Sequence, residues 1–112
     1  MITRESFVDE LLAIAPGARA AVEEHLDDMD GELRPHLLMS DLLRLTVRAF
    51  HSGQDDLARR LLTFANRCLE EGDDYVREVA AVSYVEHFGA SEGETDELLD
   101  IWPKALRDEL GR

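Results

Sequence analysis

Carboxylates are the most numerous chemically capable groups in this 112-residue chain, and the densest set is Asp27-Asp28-Met29-Asp30-Gly31-Glu32. Spaced acidic residues before a glycine evoke a calcium loop. An EF-hand needs oxygen ligands at its first, third and fifth positions, glycine at the sixth and glutamate at the twelfth. With Gly31 sixth, Asp30 and Asp28 fall on the fifth and third positions, but Leu26 and Leu37 stand where the first and twelfth ligands belong. Two obligatory ligands are therefore hydrocarbon, and an EF-hand is rejected. A solvated acidic turn is the expected state, with a weak divalent-ion site as its rival. A second acidic run, Glu92, Glu94, Asp96 and Glu97, lies nearer the C-terminus.

The other reactive side chains offer less. His25, His36, His51 and His87 include no His-Glu-x-x-His pair, the spacing that puts two ligands on one helical face. Glu24-His25 and Glu86-His87 are sequence neighbours, which point about 100° apart on a helix and share no face. His25 falls on an apolar helical face and is expected to be packed. Cys68, the one cysteine, sits in an apolar stripe, where a thiol behaves as a small hydrophobe rather than a nucleophile. Ser83 is also on an apolar face and lacks the Gly-x-Ser-x-Gly elbow of hydrolases. Phosphate-cradling glycine patterns are absent too. No catalytic residue, metal ligand or cofactor is assigned.

Charge limits the partners. Twelve basic side chains stand against twenty-five acidic ones, a net charge of −13. Residues 1–34 carry −6, residues 35–72 are balanced, and residues 73–112 carry −7. Such a field repels nucleic acid and anionic membranes and attracts basic proteins. A single cysteine fits a reducing compartment, no apolar run approaches the ~20 residues of a membrane span, and no signal-like N-terminus is present. A cytoplasmic location is expected.

The elements that must position these groups are helical throughout. Apolar residues recur at helical spacing, and breakers divide the chain into six segments. Thr3 is a plausible cap for the first, whose stripe is Phe7, Val8, Leu11, Leu12 and Ala15 before Pro16-Gly17. The second runs from about Ala18 to Asp28 with His25 inward. The third starts near Pro35 and reaches His51, and Leu37, Met39, Leu43 and Val47 widen its apolar stripe, as expected of a central helix. The fourth starts near Asp55 or Asp56 and ends at Gly72; the fifth starts at Asp73-Asp74, includes Tyr75, and ends at Gly89. Pro103 splits the last segment, where Trp102 is expected to anchor the C-terminal end.

A chain of this length buries roughly 65% of its unfolded surface, enough for one core without disulfides. The fold class expected is all-α: residues 1–112 as a single compact bundle of about five to six helices. Asp74-Tyr75-Val76-Arg77 makes a HEAT-like curl the variant.

Three stretches together carry a resemblance: Phe7-Val8-Asp9-Glu10-Leu11-Leu12, Glu32-Leu33-Arg34-Pro35-His36-Leu37-Leu38-Met39-Ser40-Asp41-Leu42 and Val79-Ala80-Ala81-Val82-Ser83-Tyr84-Val85-Glu86. The chain resembles a family of small acidic all-helical bacterial proteins of unknown function, some similar to the immunity proteins of toxin systems. That resemblance carries no catalytic residues and draws attention to Pro35-His36 and Asp41. The functional expectation is a protein-binding module rather than an enzyme. Its sharpest form is an immunity- or antitoxin-like inhibitor whose acidic surface occludes a basic toxin or effector. Asp27, Asp28, Asp30 and Glu32, or Glu92, Glu94, Asp96 and Glu97, are the candidate contact residues. The alternative is a regulatory or scaffold adaptor with an apolar groove between helices. The oligomeric state stays open.

Overall fold

The computed structural model describes residues 1–88 and 96–111, all of whose regular elements are helical. α1 spans Phe7–Ile14, and a 3-10 turn at Pro16–Ala18 leads into α2, Arg19–Asp28. α3 covers Pro35–His51, α4 Asp55–Glu71, and α5 Asp74–Ala80, which continues as a π turn through Ala81–Val85. α6 is Asp96–Leu99 and α7 Lys104–Leu110. The all-α expectation holds. The principal extents of 35 × 29 × 24 Å and radius of gyration of 12.8 Å fit a closed globule of this length, near 13 Å, rather than an extended curl.

The breakers act where the sequence places them. Pro35 opens α3 at a position that has no hydrogen-bond obligation for a backbone N–H. Gly53, at φ 83°, turns the chain after α3. Asp55 and Asp56 occupy the first turn of α4, where negative charge suits the helix dipole. The Asp73 carboxylate accepts from the Val76 N–H at 2.9 Å and caps α5. Contrary to expectation, Thr3 does not cap the first helix: Ser6 stands at the start of α1 and no side chain caps it there, and Thr3 closes the preceding turn with Ser6 instead. Its N–H donates to Ser6 Oγ at 3.0 Å while the Ser6 N–H donates to Thr3 Oγ1 at 3.3 Å.

α3, α4 and α5 pack as consecutive neighbours, with α1 and α7 laid on α4 and α2 on α3. The two longest helices thus share the centre. Phe7, Leu11, Leu38, Leu42, Leu61, Phe64, Ala65, Cys68, Val79 and Leu106 are among the side chains of one continuous core. Arg60 donates to Asp56 and to the Ile14 carbonyl, tying α4 to the end of α1. Arg67 pairs with Glu71 and Glu10, making a second strap between α4 and α1. Trp102, 4% exposed, is the expected anchor, packed edge-on against Phe88 and beside Tyr84. Its indole N–H has no hydrogen-bond partner among the described residues.

Two features were not expected. Ile2 forms a parallel bridge to Gly72: its N–H donates to Glu71 O at 2.8 Å and its carbonyl accepts from Asp73 N–H at 2.9 Å. The chain start is thereby sealed against the α4–α5 junction. The π turn is the second. Its wider winding lets the adjacent residues Ser83 and Tyr84 both bond to α3. Thr46 Oγ1 gives its one proton to Leu42 O at 2.7 Å, so the Tyr84 phenol, 2.7 Å from the same oxygen, is the donor there. This buried chain of bonds fixes the register of α3 against the helix that follows α4.

Candidate functional site

The 27–32 cluster occupies the turn from α2 to α3. Asp27 and Asp28 close α2, with only His25 as a basic residue in its last turn. Carboxylates at a helix C-terminus oppose the dipole, at about 0.3–1 kcal/mol each. Asp30 follows in the left-handed region at φ 53°, and Gly31 at φ 83°. Left-handed geometry costs a residue with a side chain about 1 kcal/mol relative to glycine. Asp30→Gly is therefore expected to raise stability by about 1 kcal/mol in urea denaturation; a loss would show that the Asp30 side chain itself holds the turn.

The turn is positioned from beneath. His25 is buried, and its Nε2 accepts from the Arg34 backbone N–H at 3.0 Å, so that nitrogen carries no proton. The expectation of a packed histidine is met, and its work is to fasten the loop to α2. Gly31 N–H returns to Leu26 O at 2.6 Å, which closes the helix.

Asp28, Asp30 and Glu32 rim an open depression of about 350 Å³ that also contains Met29, Arg34 and Leu37. Leu37 is corrected relative to the sequence reading. Met39, Leu43 and Val47 are buried as the widened stripe required, but Leu37 is 48% exposed. Tyr75, in the apolar run of the fifth helix, is 36% exposed. Both sit in the first turns of their helices, and each keeps part of its surface in contact, Tyr75 against the His36 ring. Periodicity reports angle around a helix and is silent about where the neighbour stops.

The second acidic run behaves differently. Asp96 and Glu97 are exposed in the first turn of α6, where their charge is locally favourable. Glu92 and Glu94 lie outside the described residues. Asp41 pairs with Arg44 on the surface of α3 and caps nothing. Arg44 and Asp41 join Glu24, Asp28 and Arg48 around a polar cleft of about 280 Å³ between α2 and α3.

Sequence reasoning missed one constellation. His36 Nδ1 and Ser83 Oγ are 2.7 Å apart, and Ser40 Oγ donates to the Ser83 carbonyl at 3.2 Å. The His36 ring also meets the Tyr75 ring edge-on, with centroids 6.0 Å apart. Residues 36 and 83 are far apart in sequence, and the π turn that presents Ser83 has no local signature. His36 itself was singled out, but only within the family resemblance. Cys68 is buried, and desolvation pushes its thiol up to about 12. Among the described residues, no three His, Cys, Asp or Glu side chains are grouped to hold a metal ion, and no helix is long and apolar enough to cross a membrane.

These features define a small acidic all-helical protein with an apolar-centred, charge-rimmed surface at the α2–α3 turn. The chain belongs to the family described as Domain of unknown function (DUF7674), whose model matches residues 8–112. No curated protein and no solved structure matches it.

Proposed function

We propose that this protein is a protein-binding module that docks a basic partner on the α2–α3 turn. The observation that carries the reading is Leu37, half exposed in a depression that Asp28, Asp30 and Glu32 line together with Met29 and Arg34. An apolar centre within a polar rim is the anatomy of a protein interface. The energetics of the turn support it. Carboxylates placed against a dipole and a left-handed aspartate both cost stability, and such features concentrate where a surface serves something besides folding. The net charge of −13 would speed encounter with a basic partner, and the local cluster of Asp27, Asp28, Asp30 and Glu32 would favour its arrival at this turn.

In its sharpest form the module is an immunity- or antitoxin-like inhibitor. The acidic face would cover the basic active site of a toxin, such as a nuclease, and exclude its substrate by occlusion. A second reading, a regulatory or scaffold adaptor, draws on the open groove of about 520 Å³ between α4, α5 and α7, where Leu69, Ala81 and Ala105 lie among the charged Arg77, Glu78, Asp108 and Glu109.

The test is affinity capture on the wild-type protein and on a variant with Asp27, Asp28, Asp30 and Glu32 changed to lysine. A partner of the acidic face should bind at least about tenfold more weakly at 500 mM than at 50 mM salt. It should be lost on the lysine variant and weakened by Leu37→Ser. A partner retained by the lysine variant and indifferent to salt would overturn the acidic-face reading in favour of the groove.

A further inference from the structure

The start of α3 borders a second depression, of about 270 Å³, whose chemistry is opposite to that of the acidic turn. Arg4, Arg34, His36, Leu37 and Tyr75 line it, together with Glu32. In a chain with twice as many acidic as basic residues, two guanidiniums and an imidazole converging on one hollow is an unusual grouping. The hollow also gathers Leu37 and Tyr75, which with Met1 are the exposed large apolar side chains among the described residues.

The polar lining is held in place. Ser83 Oγ grips His36 Nδ1 at 2.7 Å from the buried side, and Tyr75 meets the ring at its edge. The two ring nitrogens point in nearly opposite directions, so Nε2 faces away from Ser83. Arg4 is fastened by one bond, from its guanidinium to Leu33 O at 2.9 Å, and its other N–H groups remain free to donate. Among the described residues Arg34 is paired only with Glu32, at 3.2 Å between exposed groups, a contact of small net energy. No side chain caps α3, so its first N–H groups add positive potential at the same place.

We infer that this depression binds the C-terminal carboxylate of a peptide whose last residue is apolar. A terminal residue carries its carboxylate and its hydrocarbon side chain on one carbon, which matches guanidiniums, imidazole and exposed Leu37 and Tyr75 within a space of about one residue. An aspartate or glutamate side chain would satisfy the cations but bring nothing for the apolar wall. The overall negative charge does not forbid this. Charges farther away than the Debye length of about 8 Å are screened at physiological salt, whereas the guanidiniums act at contact.

Glu32 sets the sign of the decisive comparison. In the acidic depression its charge attracts a basic partner; in this one it occupies Arg34 and competes with the incoming carboxylate. Neutralising it has opposite effects at the two places, so this inference stands or falls separately from the acidic-face reading.

The experiment is a titration of the 15N-labelled protein, followed at the Arg34 and Leu37 amides and the His36 ring. The probes are an N-acetylated pentapeptide ending in leucine, the same peptide amidated at its C-terminus, and acetate. The free-acid peptide should shift these signals with saturation, and the amide should bind about tenfold more weakly or not at all. Arg4→Gln should weaken the acid peptide several-fold, and Glu32→Gln should tighten it; thermal melts would verify that both exposed substitutions leave the fold intact. Equal binding of acid and amide would overturn the carboxylate assignment. Acetate binding as tightly as the peptide would overturn the peptide assignment. No shift at millimolar peptide in either wild type or Glu32→Gln would overturn the site.

Discussion

Gly72→Ala is expected to destabilise the protein by about 3 kcal/mol, lowering its melting temperature by roughly 10–20 °C. A β-carbon on residue 72 would lie 2.3 Å from the Cys68 carbonyl oxygen and 2.8 Å from Val76 Cγ1. The valine methyl has some freedom, but the carbonyl belongs to the backbone of α4 and cannot rotate away. Relief requires moving the helix end, and the surroundings resist that. Gly72 O accepts from Arg77 Nε at 3.0 Å, while its neighbours Glu71 and Asp73 hold Ile2 through two backbone bonds. Gly53→Ala is the control. Its added carbon meets nothing within 4 Å, and only the positive φ is unfavourable, so the loss should be near 1 kcal/mol. Urea denaturation of both variants checks the pair; equal losses would show that crowding at Gly72 is not the cause.

Cys68 should be almost inert in the native state. With its thiol pushed up to about 12 by desolvation, the thiolate fraction at pH 8 falls about a thousandfold below that of an ordinary cysteine. Alkylation by iodoacetamide at pH 8 should be slower by about that factor than in the urea-unfolded chain; comparable rates would mean that α4 opens readily. The same shift has a consequence for stability. Above pH 9 the unfolded chain releases the thiol proton while the folded one retains it, so the unfolded state binds fewer protons and stability falls as pH rises toward 12. The slope approaches about 1.4 kcal/mol per pH unit within that window. Burial raises the Tyr84 phenol as well, which adds a loss of the same sign at the upper end. Urea midpoints at pH 8 and pH 10 test this, and Cys68→Ala should flatten the part of the slope nearest pH 9.

The helices were largely legible because their boundaries are set locally. Pro35, Gly53, Asp73 and the Asp55-Asp56 pair act through their own backbone angles or first-turn N–H groups, which depend little on the rest of the chain. Burial was legible for the same reason at His25, Cys68 and Trp102, each inside a periodic stripe. What depends on distant partners was not. The necessity of glycine at 72 comes from Cys68 and Val76 crowding it, not from a special φ, since its φ is −74°. The Ser83–His36 bond joins two helices through a π turn that no residue type announces. The acidic turn was visible as composition, but the exposure of Leu37 beside it was not, because helical spacing alone does not say which apolar residues a neighbour covers.

The clasp between Ile2 and Gly72 also orders events during translation. Ile2 leaves the ribosome about seventy residues ahead of its pairing partner, an interval of several seconds at roughly 5–20 residues per second. Through that interval the two bonds that hold Ile2 cannot be made, while α1 to α3 can already pack on one another. The bridge can form only when the end of α4 and the first residue beyond Gly72 have emerged, because Glu71 accepts and Asp73 donates its two bonds. The Ile2 segment is thus fixed only after the α4–α5 junction has been made, and it acts as a latch that records completion of that junction.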